Sequence, residues 1–128
     1  MSSRERGVGT LTSVMVMAAL VGVTLLGVWA LGWLRAHARA ADAADLGALA
    51  AARAYAADPD PDAWSACVKG ARTLTRNQAR AVNCVLEGDS TSFIVTVTAE
   101  TELWPRIPLP GAPRVVRVSA VAGSPNAR

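Results

Sequence analysis

Between Arg6 and Arg35 the sequence has no charged residue, and before Pro59 it has no proline. Histidine occurs once, as His37, and lysine once, as Lys69. Two cysteines, Cys67 and Cys84, and a remote His37 give no zinc-binding spacing. No nucleophile is paired with a base, and no glycine-rich loop joins a strand to a helix to cradle phosphate. Asp58, Asp60 and Asp62 alternate as in a calcium loop. The intervening prolines, and the lack of a following Gly and a distal Glu, favour helix capping instead. We therefore expect no catalytic residue, no metal, no cofactor and no small-molecule substrate. The net charge of +3 is borne mainly by scattered arginines with no interleaved aromatics, which argues against a nucleic-acid partner.

What the charge gap contains is a run of 28 uncharged residues, Gly7 to Leu34. As a helix it would span roughly 42 Å, more than the hydrocarbon core of a bilayer. Its central part, Val14 to Leu34, is rich in Val, Leu, Met and Trp, and Trp29 and Trp33 stand near the end where headgroups lie. This predicts a transmembrane helix over 7–34 after a cytoplasmic tail, 1–6. A cleaved signal peptide is the alternative, with Arg4 and Arg6 as its basic start and small-x-small patterns within Ala36–Ala40. Its apolar region normally runs only about 7–15 residues. Arg4 and Arg6 on one side balance Arg35 and Arg39 on the other, so charge alone does not orient the span. The cysteines do: two thiols in a short domain point to one disulfide and an oxidising compartment. The expected localisation is a single-pass cell-membrane protein with its C-terminal domain extracytoplasmic.

Arg35–Ala57 is built of good helix formers, and Gly47 alone does not stop a helix. One helix is expected from about Thr10 to Ala57, its second half a rigid stalk, 35–57, with a narrow apolar stripe at Leu46, Leu49 and Ala50. His37 belongs on its surface. Arg39 and Asp42, three apart, are placed to pair.

A small domain, 58–122, follows. Asp60 is the expected N-cap of a second helix, Pro61–Arg76, burying Trp64, Cys67, Val68, Ala71 and Leu74. Alternation then predicts strands. Val82, Cys84 and Leu86 share one face of the first, and Gly88–Ser90 form the turn. Phe93, Val95, Val97 and Ala99 share one face of the second. A proline-rich loop, Trp104–Pro113, is expected to be packed down by Trp104, Ile107 and Leu109. Val116, Val118 and Ala120 mark a last strand, before a frayed tail, 123–128. The fold class is α+β: a long helix, a second helix and a small antiparallel sheet of about three strands. A Cys67–Cys84 bond would tie helix to sheet.

Gly9, Thr10 and Ser13, and the pair Ala18 and Gly22, are small residues of the kind that let helices approach closely in lipid. Ordinary membrane-helix composition accounts for them equally well.

The segments "ERGVGTLTSVMVMAAL", "RAADAADLGALAAARA" and "NQARAVNCVLEGDSTSFIVTVTA", with Cys67 in "SACVKGA", resemble the TadE/TadG-like proteins of actinobacteria. These are membrane-anchored, pseudopilin-like components associated with tight-adherence (Tad) pili and type II/IV-related secretion. The resemblance covers roughly Glu5 to Ala120 and implies a structural role, with the membrane and other pilus or secretion subunits as partners. Gly9, Thr10, Ser13, Ala18 and Gly22 would then be helix-packing positions. Gly7 would be the possible processing site. A cut after Gly7 puts Thr12 where prepilins carry Glu at the fifth mature position, and Glu5 falls on the other side of the cut. Two other readings stand beside this one: a membrane-tethered binding module with an unrelated partner, and a domain released near Ala40.

Overall fold

The computed structural model describes residues 3–124. Helix α1 runs unbroken over Ser3–Ala57, roughly 82 Å at the α-helical rise. It begins before the expected Thr10. With no proline until Pro59, nothing interrupts it, and its hydroxyls turn inward. Ser13 donates to the Gly9 carbonyl (2.9 Å), Thr24 to that of Leu20 (2.8 Å) and Thr12 to that of Val8. Each hydroxyl of the apolar run thus finds an acceptor in its own helix.

The C-terminal half of α1 is the spine of a packed head. Its inward face is alanine: Ala36, Ala40, Ala43, Ala44, Ala48, Ala51 and Ala52, ending at Tyr55. The expected stripe at Leu46 and Leu49 is not that face; they remain 46% and 42% exposed. Small residues lie inward because the neighbouring elements come close to the α1 backbone, and a leucine would hold them off. Arg39 and Asp42 form no ion pair among the described residues.

Helix α2, Ala63–Arg76, starts two residues later than expected. Asp62 is its N-cap, accepting from the Ser65 N–H at 2.9 Å, while Asp60 donates its own N–H to Asp58 Oδ1 at 3.1 Å. Asp62, in extended backbone at φ −116° and ψ 124°, caps the first turn in place of Asp60. The buried face is Ala66, Gly70 and Leu74. Trp64, expected inside, is 77% exposed: it lies on the side of α2 away from the buried Ala66, Gly70 and Leu74 row, at the groove toward β1. Gln78 adopts a left-handed φ of 58° after the Asn77 cap, and the chain turns into the sheet.

Strands β1 (Arg80–Gly88), β2 (Phe93–Glu102) and β3 (Val115–Gly123) form an antiparallel sheet in the order β1-β2-β3. The β2 row Phe93, Val95, Val97 and Ala99 is buried as the alternation required. In β1 a bulge between Ala81 and Asn83 shifts the phase. Ala81 takes the inward place expected of Val82, which stands exposed, while Cys84 and Leu86 keep theirs. At the β1–β2 turn Gly88 has φ 110°, and the Asp89 carboxylate accepts from the Thr91 and Ser92 N–H groups, each at 2.9 Å.

Strand β2 lies along α1. Phe93 meets Tyr55 edge-on at 4.9 Å between ring centroids, and Leu103, just past the other end, packs with Ala36, Ala40 and Val116. Residues 35–57 and 58–122 therefore form one unit. Ser124 donates its N–H to the Phe93 carbonyl at 3.0 Å, so the start of the expected frayed tail is held on the sheet; residues 125–128 lie outside the described residues, as do 1 and 2 of the expected tail 1–6.

Candidate functional site

Three surfaces stand out, the first two set by how α1 is covered or left bare. The first is the N-terminal half of α1. From Val8 to Leu34 its large apolar side chains, the half-buried Trp29 apart, are exposed, and the segment is long and apolar enough to cross a membrane. This fits membrane anchoring. The candidate packing residues Gly9, Thr10, Ser13, Ala18 and Gly22 all lie on it and are all exposed. A Cβ added at Gly7, Gly9 or Gly22 would meet nothing within 4 Å among the described residues. Gly9 and Ala18 are nine residues apart, two and a half turns, so the pairs Gly9/Ser13 and Ala18/Gly22 face opposite ways. The helix thus offers two separate small-residue strips rather than one.

The second surface is the junction where the head meets this bare segment. Residues 103–114 connect β2 to β3 at the head's lower end. Leu103 is buried, and its N–H donates to the Arg114 carbonyl at 2.9 Å. The expected anchors behave differently: Ile107 is half-buried, but Trp104 and Leu109 are 79% and 67% exposed. Leu103 occupies the apolar site between the strands and α1, which leaves Trp104 on the outer side of the chain. The Trp104 backbone lies directly on Gly32. A Cβ there would overlap the Trp104 carbonyl oxygen and stand 3.1 Å from Pro105 Cδ. A cleft of about 270 Å³ opens beside this contact, lined by Leu31, Arg35, Arg39, Glu102, Trp104 and Pro105 among others. His37 is exposed here, as expected, and stacks on Trp33 at 5.6 Å.

The third surface is a groove of about 560 Å³ between α2 and β1, lined by Trp64, Val68, Ala71, Val82 and Leu86 and floored by the disulfide. Cys67 and Cys84 are bonded, with Cα atoms 5.9 Å apart.

On the sheet face away from α1, Glu100 sits directly between Arg80 of β1 and Arg117 of β3 in the strand register. Both guanidinium groups approach its carboxylate at 2.7 Å. The Arg117 hydrogen bond, helped by the Arg80 charge, holds the Glu100 carboxyl below its ordinary value of 4.5 against the opposing effect of burial. Asp89 is lowered too, by the Thr91 hydroxyl first and the turn N–H groups second.

Among the described residues no three His, Cys, Asp or Glu side chains gather as a metal centre requires. No known protein family, curated protein or solved structure matches the chain.

Sequence reasoning missed Gly32, Leu103 and the Glu100 ladder. For the ladder the signal was partial: Glu100 and Arg117 fall on outward-facing strand positions, but alternation puts Arg80 on the face of Val82, Cys84 and Leu86, and only the β1 bulge turns it outward. For Gly32 there was none, because the contact depends on where a loop some 70 residues later comes to rest.

Proposed function

We propose that the chain is a pseudopilin-like structural subunit of a Tad-type pilus or a type II/IV-related secretion apparatus. It is anchored by a single membrane helix over Gly7–Leu34, with its head outside the cytoplasm. The observation that carries this reading is the continuity of α1 from Ser3 to Ala57, with the head clamped on its outer half. Force or displacement at the lipid-embedded turns reaches the head through one rigid body. The Cys67–Cys84 bond supports an oxidising compartment for the head. The resemblance of the quoted segments to TadE/TadG-like proteins supplies the apparatus. Partners in this reading are the membrane and sibling subunits packing on the Gly9/Thr10/Ser13 and Ala18/Gly22 strips; nucleic acid and small-molecule substrates have no part in it.

The test is co-purification with the other apparatus subunits. Gly9→Leu or Ser13→Leu should abolish it while the head keeps its disulfide. Persistence of the complex in both variants would remove the packing role. Mass spectrometry of the mature N-terminus tests Gly7 processing and release near Ala40 together.

The α2–β1 groove favours a second reading, a membrane-tethered binding module. Replacing Gly7–Leu34 with an unrelated membrane helix separates the two: a tether survives the exchange, a filament subunit does not.

A further inference from the structure

Gly32 lies within the uncharged run, three residues before Arg35. It is nevertheless covered, by the Trp104 carbonyl and the Pro105 ring. The head therefore reaches down past the first arginines of α1 by roughly 5 Å along the axis. If Val14–Leu34 fills the hydrocarbon core, which its length of about 32 Å matches, then Gly32 lies at the boundary of that core. So does the Trp104 backbone resting on it.

The side chains at that level suit the position. Trp104 and Leu109 are turned outward, and Trp29 and Trp33 stand on α1 at the same height. Exposed indoles and leucine are unfavourable in water but favoured at the headgroup layer. Just above them Arg35 and Arg39 are exposed, and neither is in an ion pair among the described residues. Arg106 adds a third guanidinium, held by Glu102 at 3.3 Å. Planar guanidinium groups bind phosphate oxygens through paired hydrogen bonds.

We propose that the Leu103–Arg114 loop is a lipid-binding foot. Trp104 and Leu109 enter the interfacial layer of a phospholipid bilayer, and Arg35 and Arg39 take its phosphates. The occupant is phospholipid because the patch is continuous with the uncharged helix and shares its height. No length of free stalk separates head from membrane; the head stands on the surface, and its tilt is set by two contacts rather than one. This inference rests on the membrane-spanning reading of Gly7–Leu34.

The experiment uses the full chain in phosphatidylcholine–phosphatidylglycerol vesicles, in three single-tryptophan variants that keep Trp29, Trp64 or Trp104 and carry Phe at the other three positions. Phosphatidylcholine brominated on the upper part of the acyl chain serves as quencher. Circular dichroism and an intact disulfide verify folding. Trp29 and Trp104 should both lose fluorescence to the brominated lipid, and Trp64, near the far end of the head, should not. Quenching of Trp29 without Trp104 overturns the foot alone. No quenching of Trp29 overturns the membrane span beneath it. Trp104 shielded from aqueous acrylamide yet untouched by brominated lipid means that protein covers the loop, which also overturns the proposal.

Discussion

Gly70 of α2 faces Gly47 of α1 so closely that a Cβ on Gly70 would lie 2.9 Å from the Gly47 carbonyl oxygen and 3.1 Å from Ala51 Cβ. A Cβ on Gly47 would in turn overlap the Leu74 side chain, which is fully buried. The two helices meet backbone to backbone at this crossing, and the rest of the head is built around it.

Gly70→Val should therefore destabilise the head. Any gain in helix propensity is under about 1 kcal/mol, whereas overpacking a tight interface costs about 1–3 kcal/mol. Thermal melting of the detergent-solubilised chain checks this; a melting temperature at or above that of the unaltered protein would show that the helices separate freely.

Thr101→Val should stabilise. Thr101 is buried, and among the described residues its Oγ1 has no hydrogen-bond partner. Valine keeps the shape and removes the unpaired hydroxyl, for a gain of about 1 kcal/mol. Denaturant unfolding of the two proteins, compared at equal slope, measures it.

Acid should weaken the head through Glu100. Its folded carboxyl titrates below 4.5, so the unfolded chain takes up protons first as pH falls. The stabilisation is complete above the ordinary carboxylate value and is lost as pH drops through the folded one. Asp89 contributes with the same sign. Melting temperature should be level near neutrality and fall below about pH 4.5. Glu100→Gln should lower the neutral plateau and shallow the acid limb.

Replacing both cysteines by serine should cost on the order of 3 kcal/mol, the loop-closure value for a sequence separation of 17. The bond joins α2 to β1, so the loss should appear first as faster hydrogen exchange in those two elements. Exchange unchanged there would mean that packing alone holds them.

Much of this architecture was legible in residue order. An uncharged run followed by proline-free, alanine-rich sequence leaves a helix no place to break. The two-residue period of β2 admits only one buried face. Cys67 and Cys84 fell on inward positions of their elements, so their pairing could be expected. Harder features arose where the deciding atoms belong to another part of the chain. Leu46 and Leu49 are larger and more apolar than their alanine neighbours, yet they face outward. Val82 lost its inward place to Ala81 through one bulged residue, and Trp64 and Trp104 stayed outside.

What the sequence determined by itself was the order and kind of elements, because period, proline placement and chain stiffness are local properties. What only the tertiary structure decided was which faces those elements bury and how far the head descends along α1. Close packing rewards the smallest residue at a helix crossing rather than the most hydrophobic one, and a loop's resting place is fixed by distant backbone. Gly47 against Gly70, and Trp104 upon Gly32, are contacts of that kind.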